Sequence, residues 1–139
     1  MNTDRIVPST TPEDMLKSRS WAGHFVSAPE NLPVSFLYDG KEITGIPSVW
    51  TPVCQKLRID ANLIETIFEG NDASTGLRVR VECLEYLDYP VVEWTAWFTN
   101  SGGEPTPVIR DILALDGAFE GASPLLYHCN GDFNTQRWT

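Results

Sequence analysis

The residues whose types could do chemistry are spread thinly along the 139-residue sequence, so their spacing decides what they can do. A sugar hydrolase needs two carboxylates facing each other across the bond it breaks. Asp111 and Asp116 lie in one strand-like run, IRDILALDGAFE, five residues apart. In a regular strand an odd separation sends them to opposite faces, so they form no pair unless a bulge intervenes. Glu82 and Glu85 fail by the same parity. His24 and His128 belong to no metal-ligand spacing, and no metal site or cofactor is expected. A G-x-S-x-G nucleophile elbow is absent. The Gly102-Gly103 turn joins two predicted strands rather than opening a helix, so it is no phosphate cradle.

Aromatic side chains are the chemistry that remains, with five Trp, four Tyr and six Phe. Their faces stack on the apolar C–H side of sugar rings, and they also fill cores. Trp50, in a loop between Pro47 and Pro52, is the expected exposed platform for a ligand or partner. Asp132 and Asn134 sit in a polar loop as further ligand-contacting candidates, and Trp138 is a candidate docking residue. Trp94 and Trp97 are three apart in one strand and therefore face opposite ways. Trp94 goes with Val92, Ala96 and Phe98 to the core. Trp97 goes with Glu93, Thr95 and Thr99, on a side that either is partly covered by a segment or partner, or carries the indole flat among polar neighbours.

The elements that must position these residues are mostly strands. Thr11-Pro12-Glu13-Asp14 reads as a helix start, with a capping threonine, a proline in the first turn and two acids at the positive end of the dipole. Gly23 is the expected stop, after two or three turns. Beyond Pro29 the period changes from 3.6 to 2. Val34–Tyr38 and Lys41–Thr44 flank Asp39-Gly40, a hairpin signal, because both turn positions need positive φ. Gly45 to Pro52 is a loop; Gln55–Asp60 and Leu63–Glu69 are strands meeting at Ala61-Asn62, and a loop spans Gly70–Gly76. Leu77, Val79, Val81 and Cys83 alternate with Arg78, Arg80 and Glu82 in the clearest half-buried strand. Val91–Asn100, Val108–Phe119 and Pro124–His128 complete seven to nine strands. The expected fold is an all-β antiparallel sandwich, supersandwich-like, with a short N-terminal helix. Residues 1–30 form a tail and helix, and 31–139 the sandwich, together one domain.

Composition narrows the partners. Ten basic against nineteen acidic residues give a net charge of −9, which repels nucleic acid. No apolar run has the length of a membrane helix or signal peptide. The odd set Cys54, Cys83 and Cys129, without a C-x-x-C pair, points to a reducing, cytoplasmic compartment.

The run Tyr89-Pro90-Val91-Val92-Glu93-Trp94, the strand beginning Pro107-Val108-Ile109-Arg110-Asp111, and Leu126-Tyr127-His128-Cys129-Asn130-Gly131 carry a resemblance. Residues 77–132 resemble the N-terminal β-domain of α-galactosidases of glycoside hydrolase family 36, the melibiase-like enzymes. The resemblance implies a non-catalytic domain packed on a (β/α)₈ barrel that follows in the same polypeptide and bears both catalytic aspartates. No catalytic residue carries over to this chain. The further partners it implies are a second copy in a homo-oligomer and a galactoside or oligosaccharide whose site the domain borders. A freestanding carbohydrate-binding module using Trp50 and Trp97, or a protein-interaction sandwich, are the alternatives.

Overall fold

The computed structural model describes residues 10–119. Helix α1 runs from Pro12 to Ser27. Thr11 caps it: its hydroxyl accepts from the Asp14 N–H at 3.1 Å, and the Asp14 carboxylate accepts from the Thr11 N–H at 3.0 Å. This reciprocal box satisfies two N–H groups that a helix start would otherwise leave unpaired. The helix passes through Gly23 and ends a turn later than its sequence suggests, because Ala22 and Phe25 are buried against the sheets. Packing of that face outweighs the cost of one helical glycine, about 1 kcal/mol. Leu16 points outward instead.

Seven strands follow among the described residues: β1 Ser35–Tyr38, β2 Lys41–Thr44, β3 Val53–Arg58, β4 Leu63–Asp72, β5 Leu77–Tyr86, β6 Val92–Asn100 and β7 Ile109–Leu113. They form two antiparallel sheets, ordered β2-β1-β7 and β3-β4-β5-β6. The expected all-β sandwich with its N-terminal helix is the architecture observed. The β1–β2 turn has Asp39 at φ 50° and Gly40 at φ 73°, the positive values its sequence demands.

The β4–β5 hairpin is longer and tighter than expected. Asn71 and Asp72 belong to β4 and pair with Arg78 and Leu77. Asp72 makes this possible, since its carboxylate accepts from the Ser74 N–H and hydroxyl and from the Thr75 hydroxyl, holding the turn shut. The final strand, in contrast, is shorter than expected. β7 stops at Leu113, and the Ser35–Leu113 and Leu37–Arg110 pairs enclose two steps on β1 against three on β7. That extra residue is a bulge, with Asp111 at φ 52°.

Alternation puts Leu77, Val79, Val81 and Cys83 of β5 on the inner face, beside Phe68 of β4 and Trp94, Ala96 and Phe98 of β6. Sheet β2-β1-β7 meets this face through Phe36, whose ring lies 5.0 Å from that of Phe98. The helix meets it through Trp21, 5.5 Å from Trp94. Phe36, Phe68, Leu77, Val79 and Val81 are almost wholly buried, each contributing roughly 1.5–3 kcal/mol by leaving water. Among the described residues no helix is long and apolar enough to cross a membrane.

Candidate functional site

Trp50 is not a platform. It closes a 3₁₀ turn, Ser48–Trp50, and is only 7% exposed. Its ring packs 6.0 Å from that of Tyr38, edge to face, and 6.5 Å from that of Phe36. The cause lies in another strand. Gly70 of β4 has no side chain, and a Cβ there would run into Ile46 and come within 3.4 Å of the Trp50 Cβ. The proline-flanked loop therefore sinks onto β4 and turns its tryptophan inward. That pairing of a strand glycine with a distant loop leaves no mark in local sequence.

Trp97 does emerge on the outer face of the larger sheet, 53% exposed. Register places it directly across from Arg80, which in turn sits across from Glu69, and Glu69 across from Val53. The Arg80 guanidinium bonds Glu82 at 2.7 Å along its own strand. Trp50 and Trp97 thus belong to different environments and do not converge. Asp132, Asn134 and Trp138, like His128 and Cys129, lie outside the described residues.

The structure assembles a different set of aromatics. Between α1 and the β6 end of the larger sheet lies an open groove of about 750 Å³, whose walls include Trp21, Trp94 and Phe119. Trp21 and Phe119 stack 6.1 Å apart and nearly parallel. Asp14, Lys17 and Ser18 form its polar rim. Sequence reasoning placed Trp94 correctly on the inner side but missed the site. The available signal was the helix spacing Ser18, Trp21, Ala22, Phe25, one face that Trp21 shares.

The rim does not favour proton transfer near neutral pH. Hydrogen bonds from Thr11 hold the Asp14 carboxyl below its ordinary range, so it is a fixed anion. The hydrogen bond to Glu13, at 2.7 Å, raises the Lys17 ammonium and keeps it a fixed cation. Burial pushes the Cys83 thiol up to about 11. Cys54 is exposed as a residue, yet the atoms packed near its sulfur still raise its pKa, so neither thiol is an activated nucleophile.

The carboxylates named from sequence are also located. Glu82 and Glu85 take opposite faces as parity requires; Glu82 pairs with Arg80, and Glu85 is 8% exposed on the inner side. The bulge at Asp111 removes the parity argument for Asp111 and Asp116. Asp111 stands exposed beside Arg110 at 3.9 Å, and Asp116 follows the strand with its N–H tied to the Pro33 carbonyl. Among the described residues no cluster of three or more His, Cys, Asp or Glu could hold a metal ion.

Comparison with family models, curated proteins and solved structures finds no match. The class that the fold defines is an antiparallel β-sandwich carrying one helix. Beside that helix lies the aromatic groove.

Proposed function

We propose that this chain is a non-catalytic N-terminal β-sandwich domain of an α-galactosidase-like glycoside hydrolase, supporting a catalytic (β/α)₈ barrel and bordering its sugar site. The observation that carries this reading is the apolar flank on and after β7. Val108, Ile112, Leu113, Leu115 and Phe119 are all exposed there, within twelve consecutive residues. Five large apolar side chains left in water within so short a segment cost solvation and favour a covering partner. The resemblance supplies that partner's identity, a barrel in the same polypeptide. A cytoplasmic setting suits the exposed free thiol of Cys54. The test is hydrolysis of an aryl α-galactoside. Residues 1–139 alone turn over nothing, and the polypeptide extended through the reading frame beyond Thr139 does. Turnover by residues 1–139 alone overturns the proposal.

A second reading, a carbohydrate-binding module, draws on the Trp21–Trp94–Phe119 groove rather than on Trp50. Titration calorimetry with galactosides and oligosaccharides distinguishes it: heat that vanishes in Trp21→Ala favours the module, and no heat favours the support domain.

A further inference from the structure

The aromatic groove follows the face of α1 that carries Asp14, Ser18 and Trp21. Two observations show it to be incomplete among the described residues. Its apolar walls meet solvent: Phe119 is 60% exposed, and Trp21 and Trp94 are only partly buried. The Ser18 hydroxyl on its lining is buried, yet it has no hydrogen-bond partner among these residues. Buried polar groups in folded proteins nearly always have one.

We infer that the chain's own Pro124–Tyr127 fills this groove, with Leu125 on the aromatic walls and the Tyr127 hydroxyl bonded to that of Ser18. The path of the chain selects this occupant. After β7 it crosses to the larger sheet, held by the Asp116 N–H on the Pro33 carbonyl and by the Trp94 indole on the Ala114 carbonyl. It then reaches the groove, where Phe119 stacks 6.1 Å from Trp21. Twenty residues follow in the sequence, 120 to 139. The first large apolar side chains among them are Leu125, Leu126 and Tyr127, six to eight positions beyond Phe119. Glycine, serine and proline at 121, 123 and 124 suit a turn before that run. Phe133, between Asp132 and Asn134, and Trp138, between Arg137 and Thr139, are farther away and stand singly. So short a tether presents the run to the groove at an effective concentration on the order of millimolar, which a free ligand or a second copy has to exceed.

Length and polarity match as well. From Asp14 to Trp21 the helix rises about 10 Å. An extended Pro124–Tyr127 spans about 10 Å too. Alternation along such a run puts Leu125 and Tyr127 on one side and Leu126 on the other. The segment leaves Phe119 beside Trp21 and runs towards the start of α1. Leu125 then meets Trp21 and Trp94, and Tyr127 comes to Ser18, one helical turn before Trp21. Tyrosine answers both needs of that end, an apolar ring for the wall and a hydroxyl that seeks a partner when buried. The inference does not rest on the glycosidase reading, since Val108, Ile112, Leu113 and Leu115 remain exposed for a barrel. It stands against the groove as a sugar site.

Through-space NMR contacts in the isotope-labelled full chain test this. The Leu125 methyl protons should contact the rings of Trp21 and Phe119, and the Tyr127 ring should contact the Ser18 β-protons. Isotope-filtered spectra of labelled and unlabelled chains mixed together should show none of these contacts between copies. Leu125→Asp should lose the contacts to Trp21 while the amide signals of the β4–β5 hairpin stay in place; the parent spectra decide the matter if that variant fails to fold. Galactosides and oligosaccharides added to the parent chain should leave the Trp21 indole signal unmoved. Absence of contacts between Leu125 and Trp21, contacts that arise only between copies, or a sugar that shifts the Trp21 indole overturns the proposal. None of these outcomes bears on galactoside hydrolysis by the extended polypeptide.

Discussion

The indole N–H of Trp94 donates a 2.7 Å hydrogen bond to the carbonyl of Ala114, tying an inner residue of β6 to the chain just beyond β7. The bond links the two sheets and also fixes one wall of the aromatic groove. Trp94→Phe keeps most of the apolar contact with Trp21 but loses that solvent-exposed bond, and should cost at most about 1 kcal/mol. Trp94→Ala should cost more than Trp94→Phe, because it also removes the half-buried ring's packing against Trp21. Urea melts of the two variants check the order; equal losses would mean that the ring's packing adds nothing.

Gly70 and Trp50 offer a sharper test of packing. Gly70→Ala forces a methyl group into Ile46, and overpacking of this kind costs typically 1–3 kcal/mol. The buried Trp50 should respond with a red-shifted, more quenchable fluorescence component that Trp50→Phe removes. Unchanged stability and emission in Gly70→Ala would show that the loop does not rest on β4 as described.

Asp72 gives the fold an acid-sensitive point. The Ser74 hydroxyl, then the Ser74 N–H and the Thr75 hydroxyl, hold its carboxyl below the ordinary value against a smaller opposing effect of burial. A depressed folded-state pKa contributes stability that is complete above the unfolded value of about 3.9 and is lost as pH falls through the folded one. Asp72→Asn should therefore lower the melting temperature at pH 6 to 7, and its gap from the parent chain should narrow as pH falls below the unfolded value of about 3.9. A gap that persists unchanged at acid pH would contradict the carboxylate's role.

The thiols should behave unequally. In a Cys129→Ser background, an aromatic disulfide reagent at pH 8 should titrate Cys54 in the native protein and Cys83 only after denaturation. Cys54 is exposed, whereas Cys83 is buried with its thiol pushed to about 11. Two fast thiols in the native state would place Cys83 outside the core.

Much of this architecture is legible because short-range rules govern it. Asp39-Gly40 names its own turn, and the Leu77–Cys83 alternation names its inner face. Thr11 and Asp14 name the helix start. What escapes the sequence depends on contacts between distant residues. Trp50 is drawn inward by the missing side chain of Gly70, twenty positions away. The helix continues past Gly23 because Phe25 has a core to enter. Asp111 takes a left-handed backbone because β7 must match β1 across an uneven register, which shortens the expected strand and voids parity counting beyond it. The groove escaped for the same reason, since Trp21, Trp94 and Phe119 meet only through tertiary packing.

The support role stands or falls on the flank that follows the bulge. Hydrogen exchange on the backbone amides of residues 108–119 tests it most directly, comparing residues 1–139 alone with the polypeptide extended through the downstream reading frame. The account predicts marked slowing across Ile109 to Phe119 in the extended protein, with the β4–β5 hairpin unchanged. Equal exchange rates along that flank in both forms would contradict it.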